Sequence, residues 1–337
     1  MRQILDELER TLGEPDNLAS TLQHIALTAQ KCFEMDCCII FASNPITGTI
    51  VTSPTIAENI FTTDQRSFSE TELAGLVQQL LTREFVVVED SNDPSDYQNN
   101  YMRLDGIRSY IGLPLQLKYR QKLLGILYMY SKQPLQFESF DRKLFQLFAE
   151  QASFILQETW LLRRYQEVAK IGQEINHELS KPEALFKKLQ KHIIDVLDTR
   201  DAFLLAIYQP QANNIDLYLE DGGQTIIREN DALEGACKHV IEKRETLLVR
   251  QMSEEAKDLP FQRVRISTDS GPKESLIFVP LVFRDVSLGV LSIQHKEPNT
   301  YNQEDLSILQ LLANHIALAL YNIRLFDNLR RLSETGQ

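Results

Sequence analysis

The sequence is poor in cysteine, with four in 337 residues, at positions 32, 37, 38 and 237. No two of them form a Cys-x-x-Cys pair, and no histidine stands at ligand spacing from them. Structural zinc needs thiolates or imidazoles at short, regular spacing, so this pattern disfavours a metal site. We interpret the cysteines as packing residues and keep a redox pair between Cys32 and one of its two neighbours as the alternative.

Blocks of basic residues and long apolar runs are also missing. The net charge is −12, and a chain without a Lys- or Arg-rich patch lacks the electrostatic requirement for binding nucleic acid. No apolar run approaches the ~20 residues that a membrane helix needs. The charged, amphipathic N-terminus is unlike a signal peptide. We therefore expect a cytoplasmic protein that binds neither nucleic acid nor membrane.

What the sequence does contain is a long internal repeat. A Ser-x-x-x-[Leu/Val]-Pro-Leu run, a Leu-Gly-[Ile/Val]-Leu run and an aromatic-x-x-x-Asp run occur twice in the same order, each time leading into a helix with apolar periodicity. The runs lie at residues 109–115, 124–127 and 137–141, and again at residues 275–281, 288–291 and 301–305. A repeat this long is a whole domain, because solenoid units repeat every ~20–50 residues.

Hydrophobic periodicity predicts the same elements in both copies: helix, two strands, helix, strand, polar loop, two strands and a long helix. In the second copy, the strand at 214–220 is expected to lead to a helix near 231–243. The fold class is α+β, with two domains that each carry helices on a central antiparallel sheet, joined by a long helix. The predicted segments are an N-terminal helix at 1–13, a first domain at 14–160, a connecting helix at 161–181, a second domain at 182–326 and a coiled-coil extension at 327–337.

This order of motifs, occurring twice, resembles tandem GAF domains over roughly residues 14–160 and 180–326. GAF domains are sensory modules for small molecules. The resemblance therefore implies a non-catalytic sensor of signal transduction that binds a small ligand or a partner. Two alternatives stay open: a structural dimerisation arm of a larger sensor kinase or cyclase, without ligand, and a cyclic-nucleotide-binding regulatory module.

The cyclic-nucleotide branch of the family carries an Asn-Lys…Phe-x-x-x-Asp-Glu motif. Both copies here keep the lysine, the aromatic residue and the aspartate, and both lack the leading Asn and the trailing Glu. We interpret Lys132 with Asp141, and Lys296 with Asp305, as structural ion pairs.

The resemblance leaves the cofactor unknown and disfavours two candidates. Bilin-binding members use a cysteine late in the domain, whereas Cys237 falls on the earlier helix of the second copy. None of the six histidines stands in a recognisable haem pocket. GAF-fold enzymes that reduce free methionine sulfoxide use cysteines in the loop before the late strands, where this chain has none. With no other catalytic motif in the sequence, we expect no enzymatic activity.

Loop position selects the candidate ligand-binding residues. The polar loop at about 90–108 lies before the two late strands of the first copy, and a corresponding loop lies before those of the second copy. The candidates are Asp93, Tyr97, Tyr101, Arg108 and Ser109 in the first copy, and Phe261, Arg263, Arg265 and Ser275 in the second.

The long helices that end both copies carry an apolar seam with alternating spacings of three and four residues. A buried Asn at one seam position favours a parallel, two-stranded pairing. The helices also outrun a domain of this size, at ~1.5 Å per residue. We expect a parallel homodimer whose helices carry a signal to a C-terminal output domain or a partner signalling protein. The predicted seam residues are Leu161, Tyr165, Val168, Leu311, His315, Leu318, Asn322, Leu325 and Leu329.

Overall fold

Each repeat of the sequence forms an antiparallel sheet with helices packed on it. The chain divides into two units, Met1–Arg163 and Arg164–Gln337. The fold is known from a computed structural model that describes residues 18–44, 46, 49–50, 55–57, 80, 85–90, 106–116, 123–135, 139–176, 181–262 and 271–335. The predicted α+β class with two such domains is confirmed.

The first domain contains a sheet in the order β2-β1-β5-β4-β3. Helix α1 and the first half of helix α2 cover one face, where Ile25 of α1 and Phe148 of α2 join Leu127 of the sheet in one buried cluster. The described elements are α1 Leu18–Cys32, β1 Cys37–Ala42, β2 Thr55–Ile56, β3 Val86–Val88, β4 Ser109–Gln116, β5 Leu123–Ser131 and α2 Ser139–Asn176.

The second domain contains a sheet in the order β8-β7-β6-β11-β10-β9. Helix α6 packs on β10 and β11, and Phe186 of α3 stacks on Phe203 of the sheet with ring centroids 5.4 Å apart. The elements are α3 Pro182–His192, a 3-10 turn Ile193–Asp195, β6 Ala202–Gln209, β7 Asn214–Asp221, β8 Gln224–Ala232, α4 Gly235–Lys243, β9 Leu247–Val249, α5 Met252–Glu255, β10 Ser275–Phe283, β11 Val286–His295 and α6 Gln303–Thr335.

The repeated Leu-Gly-x-Leu run has a steric reason. A Cβ on Gly125 would lie 2.8 Å from the carbonyl oxygen of Phe41 on the neighbouring strand. A Cβ on Gly289 would collide with the carbonyl oxygen of Ala206 in the same way. Each glycine therefore lets the last strand of its domain approach the first.

Strand β8 departs from the predicted order, in which the strand at 214–220 was followed directly by a helix near 231–243. Residues 231 and 232 belong to β8, and the helix begins at Gly235. Strand β8 is an edge strand with mostly exposed side chains. Without a buried face, its sequence shows no apolar alternation, which is the signal that predicts a strand.

Helix α6 is long and apolar enough, by length and composition, to cross a membrane over Gln303–Ser333, which the sequence analysis did not anticipate. However, 56% of its most apolar window is buried inside the protein. Among the buried side chains are Ile308, Leu312, Ile316 and Leu320, which recur at helical spacing. This pattern is typical of a core helix.

The predicted seam lies partly inside the chain. Val168 is fully buried, so the prediction that it contacts a second copy is wrong: its partners are in its own chain. His315 also lies against its own chain, because a Cβ on Gly172 would be 2.5 Å from its ring. Toward the end of α6, by contrast, Leu325 and Leu329 are 45% and 55% exposed. The other seam residues, Leu161, Tyr165, Leu311, Leu318 and Asn322, are half-buried.

Candidate functional site

A cavity of about 180 Å³ lies in the second domain, between the sheet and helix α4. Its apolar side chains come from strands β6, β7 and β10 and from helix α4. Met252 of α5, and Phe261, which follows α5 in the chain, add to this apolar lining. The lining residues that the structure describes are Ala202, Ile215, Leu217, Leu219, Asp221, Arg228, Asp231, Ala232, Glu234, Ala236, Cys237, Met252, Phe261, Gly271, Pro272, Lys273, Leu276, Phe278 and Gln294.

Helix α4 forms one wall because of its amphipathic pattern. Cys237, Val240 and Ile241 are buried in the same apolar cluster as Leu276 and Phe278 of strand β10. The helix ends at Arg244, which adopts the left-handed conformation (φ 58°), while its N–H donates to the carbonyl oxygen of Val240. This fixes α4 over the sheet and leaves the cavity beside it.

The most buried polar groups of the cavity are Lys273 and Asp221. The ammonium nitrogen of Lys273 lies 3.0 Å from a carboxylate oxygen of Asp221, and the two side chains are 8% and 5% exposed. Lys273 also donates to the backbone carbonyl of Asp201 at 3.2 Å. Desolvating two charges is costly, and such groups are retained in an interior only with close partners. The pair gives one buried end of the cavity a cation and an anion side by side.

The cavity rim carries a second, looser pair on β8. The Arg228 guanidinium lies 3.7 Å from an Asp231 oxygen, with side chains 46% and 33% exposed. Exposed pairs of this kind contribute little to stability. Glu234 and Gln294 complete the described polar lining.

Cys237 lines the cavity as a neutral thiol. Burial is the main cause that raises its pKa from the ordinary 9.0 to about 12, and the nearby Asp231 adds to the effect. Because the thiolate is the nucleophilic form, Cys237 is an inert packing residue at neutral pH. This agrees with its membership of the buried apolar cluster.

Of the predicted ligand-binding residues, Phe261 lines the cavity, where its ring lies 5.5 Å from the His239 ring. Ser275 is not among the described lining residues: its hydroxyl accepts a hydrogen bond from the Tyr301 N–H at 3.1 Å. Asp93, Tyr97, Tyr101, Arg263 and Arg265 lie outside the described residues.

The two candidates of the first domain that are described make structural contacts. Arg108 donates two hydrogen bonds to Asp90, at 3.0 and 2.7 Å. The buried hydroxyl of Ser109 donates to the carbonyl of Gln133 at 2.7 Å. Ser109 and Ser275 thus anchor the segment after the last strand of their domains, which explains why this serine is repeated.

The predicted pairing of Lys296 with Asp305 is wrong. Lys296 lies 3.8 Å from Asp201, and Asp305 accepts a 2.6 Å hydrogen bond from Arg164. The repeat conserves a backbone contact instead, because the N–H of Lys296 donates to Asp201 at 2.6 Å, as that of Lys132 donates to Asp36 at 2.7 Å. The side chain of Asp141 lies outside the described residues, so the pairing of Lys132 with Asp141 stays a prediction.

The equivalent face of the first sheet is aromatic. The rings of Phe41, Tyr110, Tyr128 and Tyr130 are all buried, with neighbouring centroids 5.9 to 6.3 Å apart. Burial, with a smaller effect of Tyr110, raises the pKa of the Tyr128 hydroxyl well above its usual range, so this hydroxyl stays protonated. These rings lie on the face of the sheet that corresponds to the cavity-bearing face in the second domain.

Sequence reasoning missed Lys273 and Asp221. Lys273 stands in a polar loop and Asp221 at the end of a strand, far apart in the chain, and neither belongs to a motif. They come together only through the pairing of β7 with β6, of β6 with β11 and of β11 with β10. The one available signal was a lone lysine close before a strongly apolar strand.

Two segments of the chain, residues 17–156 and residues 181–320, each match a GAF domain family. Among curated proteins, the chain is similar to the formate hydrogenlyase transcriptional activator FhlA of Escherichia coli strain K12, with 29% identity over 98 residues. These residues are 29% of this chain and 14% of that protein, so the match spans a small part of the relative's length.

Among solved structures, the chain is similar to the GAF domain of an Acinetobacter phosphoenolpyruvate-protein phosphotransferase, with 19% identity and a TM-score of 0.41, covering 48% of this chain and 95% of that one. It is also similar to the free methionine-R-sulfoxide reductase of Neisseria meningitidis in complex with its substrate, with 16% identity and a TM-score of 0.40, covering 49% of this chain and 92% of that one.

Proposed function

Because the chain belongs to the GAF family, with one domain at residues 17–156 and another at residues 181–320, we propose that it is a non-catalytic, cytoplasmic sensor of signal transduction. In this proposal, the second domain binds a small molecule in its cavity and the first domain is a structural arm. The end of helix α6 pairs with that of a second copy and relays the occupancy of the cavity to an output domain or a partner signalling protein.

The observation that carries the proposal is the cavity with charged groups at one end. Ligand sites are concave, mainly apolar, and contain a few polar groups that orient the ligand. The cavity of about 180 Å³ between the sheet and α4 has this composition. It is smaller than the ~300–1,000 Å³ of sites for drug-sized molecules. Its size therefore favours a small metabolite over a cyclic nucleotide or a tetrapyrrole.

The end of α6 supports the relay. Leu325, Phe326, Leu329 and Leu332 are exposed apolar residues on the last turns of this helix. Clustered exposed apolar side chains mark interaction surfaces. Leucines seven residues apart and the half-buried Asn322 one turn before them are typical of a parallel two-stranded coiled coil. A second copy of the chain is therefore the occupant that we propose.

Ligand binding is tested by thermal unfolding of the purified chain with a panel of small metabolites, alongside native mass spectrometry for a retained ligand. We expect one compound class to raise the melting temperature. The double variant Phe278→Gly/Ser292→Tyr gives the second sheet the Gly–Tyr pair that the first sheet carries at Gly112 and Tyr128. This variant should lose the rise in melting temperature. A chain that no compound stabilises would instead be a structural arm, and stabilisation by a cyclic nucleotide would favour the regulatory-module alternative.

Pairing of the helices is tested by sedimentation equilibrium of the Leu329→Asp variant. We expect the native chain to be a dimer and the variant a monomer, because a carboxylate at a seam position would be desolvated against its twin. Ile227→Asp is the matched control, since Ile227 is 45% exposed on the edge strand β8. A monomeric native chain, or two variants with the same behaviour, would contradict the relay.

A further inference from the structure

The charged end of the cavity indicates the class of ligand. Lys273 offers an ammonium group and Asp221 a carboxylate, both lining the same cavity and only 3.0 Å apart. Both side chains are more than nine-tenths buried. A ligand that reaches this end therefore meets a cation and an anion together.

A ligand with one charge fits this end poorly. A carboxylate that approaches Lys273 also approaches Asp221, and an amine that approaches Asp221 also approaches Lys273. In a partly desolvated site, a like charge at such short range is strongly unfavourable. A zwitterion avoids this conflict, because its carboxylate pairs with Lys273 while its ammonium pairs with Asp221.

The spacing of the two groups restricts the zwitterion further. An α-amino acid carries its ammonium and its carboxylate on one carbon atom, so both charged groups can contact a lysine–aspartate pair whose partners touch. A zwitterion with a long spacer holds its charges too far apart for that. Gln294, at the same end of the sheet, adds an amide that can donate to the ligand carboxylate.

The rest of the cavity selects the side chain of the ligand. Apart from Lys273, Asp221, Gln294 and the more exposed Arg228, Asp231 and Glu234, the lining is mainly apolar. Leu217, Leu276 and Phe278 come from the sheet, and other apolar residues come from α4 and α5. Burial of a hydrocarbon group on these walls is favourable in proportion to its area. The volume of about 180 Å³ suits a ligand of few heavy atoms.

We propose that the second domain binds a free α-amino acid with an apolar side chain, held at its charged end by Lys273 and Asp221. This inference rests on the proposed function, since it names the ligand of the same cavity. It assigns Lys273 the ligand carboxylate and Asp221 the ligand ammonium.

The test is isothermal titration of the full chain with L-leucine, L-methionine and L-phenylalanine, and with two blocked forms of each. The amides keep the ammonium but lose the carboxylate, and the N-acetyl forms keep the carboxylate but lose the ammonium. We expect at least one free amino acid to bind, and both of its blocked forms to bind at least tenfold more weakly. Equal binding of a free and a blocked form would overturn the inference.

Substitutions of Lys273 and Asp221 test whether the amino acid binds at this ion pair. Lys273→Met should abolish binding of the amino acid, and the double variant Lys273→Met/Asp221→Leu should do the same while keeping its fold, because replacing a whole buried pair is often neutral for stability. Lys296→Met is the matched control, since Lys296 pairs with Asp201 and is not among the described cavity residues. It should bind as the native chain does; a folded double variant that still bound the amino acid would contradict the assignment.

The outcomes separate this inference from the proposed function. If no amino acid binds but another metabolite stabilises the chain, the ligand class is wrong and the sensor proposal stands. If nothing in either panel binds, both are wrong.

Discussion

The two GAF domains share a scaffold and differ on one face of the sheet. In both, a glycine lets the last strand approach the first, and an aspartate accepts the N–H of the lysine after the last strand. On the face that borders the cavity in the second domain, however, the first domain carries a layer of buried aromatic rings. The two domains thus share these backbone contacts but differ in the side chains on this face of the sheet.

The two sheets differ in which of two paired strands carries the large side chain. Gly112 lies opposite Tyr128 in the first sheet, and Phe278 lies opposite Ser292 at the same place in the second. A Cβ on Gly112 would lie 2.6 Å from the Tyr128 ring, so the small residue is needed beside the large one. Each sheet keeps one large and one small member of the pair but on opposite strands.

A second difference lowers the aromatic content of this face in the second sheet. Phe41 and Tyr130 of the first sheet correspond, through the same pairings, to Ala206 and Gln294 of the second. Of the two replacing residues, Gln294 lines the cavity. The five strands that the two sheets share thus keep one order while the side chains on this face differ.

The largest predicted effect comes from breaking the buried ion pair between Lys273 and Asp221 in the second domain. Lys273→Met leaves the buried Asp221 carboxylate beside an apolar side chain, which costs about 3–5 kcal/mol when one partner of a buried pair is removed. Hydrogen-exchange mass spectrometry should show faster exchange in strands β7 and β10 and no change in the first domain. Lys296→Met, at a half-exposed pair, should change exchange far less. Equal effects of the two variants would show that burial of the Lys273 pair is unimportant.

The next effect is on the aromatic layer of the first domain. Tyr128→Ser removes a buried ring and should cost about 3 kcal/mol, as large-to-small core changes do. Adding Gly112→Phe should recover part of the loss, because the double variant reproduces the pair of the second sheet. Urea unfolding followed by fluorescence of Trp160, the one tryptophan, reports on this unit. A double variant less stable than Tyr128→Ser would show that the two faces are not interchangeable.

A smaller effect tests the shared scaffold. Gly125→Ala and Gly289→Ala should each cost about 1–3 kcal/mol, because the added Cβ meets a backbone carbonyl that cannot move aside. Gly112→Ala should cost less, since its Cβ meets only the ring of Tyr128. Differential scanning calorimetry of the three variants gives the order. If Gly112→Ala were the most harmful, the close approach of the strands would not explain the repeated glycine.

The smallest predicted effect concerns the chemical reactivity of Cys237 and needs no substitution. Cys237, with a pKa raised to about 12 by burial, should react with iodoacetamide much more slowly at pH 8 than the half-buried Cys32, and its rate should rise about tenfold per pH unit. The contribution of this thiol to the free energy of unfolding is fully present below pH 9 and is lost as the pH rises toward 12. The reason is that the thiol ionises at a lower pH in the unfolded chain, which stabilises the unfolded state. Peptide mapping by mass spectrometry measures the rates. Rapid labelling of Cys237 at pH 8 would mean that the cavity is open to reagent and the thiol poorly buried.

Sequence patterns predicted those parts of the fold that depend on local repetition. The strands around Pro114 and Pro280 and the long helices have strong apolar patterns, and their observed bounds agree with the prediction within a few residues. Strand β8 was missed because an edge strand with exposed side chains has no such pattern. The periodicity of α2 was read correctly, but its partner was not, since Val168 packs within its own chain.

The candidate site was much less predictable. Phe261 was selected from loop position, whereas Lys273 and Asp221 come together only through strand pairing. The partners of Lys296 and Asp305 were misassigned for the same reason, because a motif gives the spacing of charges and not the neighbours that strands and helices bring to them. Contacts between distant segments are tertiary facts that a single sequence does not contain.

The division of labour between the domains is tested most directly by xenon, which enters apolar cavities whatever the natural ligand is. Diffraction from crystals of the full chain under xenon pressure should show a xenon atom between α4 and the sheet of the second domain, beside Leu217 and Phe278. It should show none on the tyrosine face of the first sheet. Xenon beside Tyr128, or in neither domain, would contradict the account.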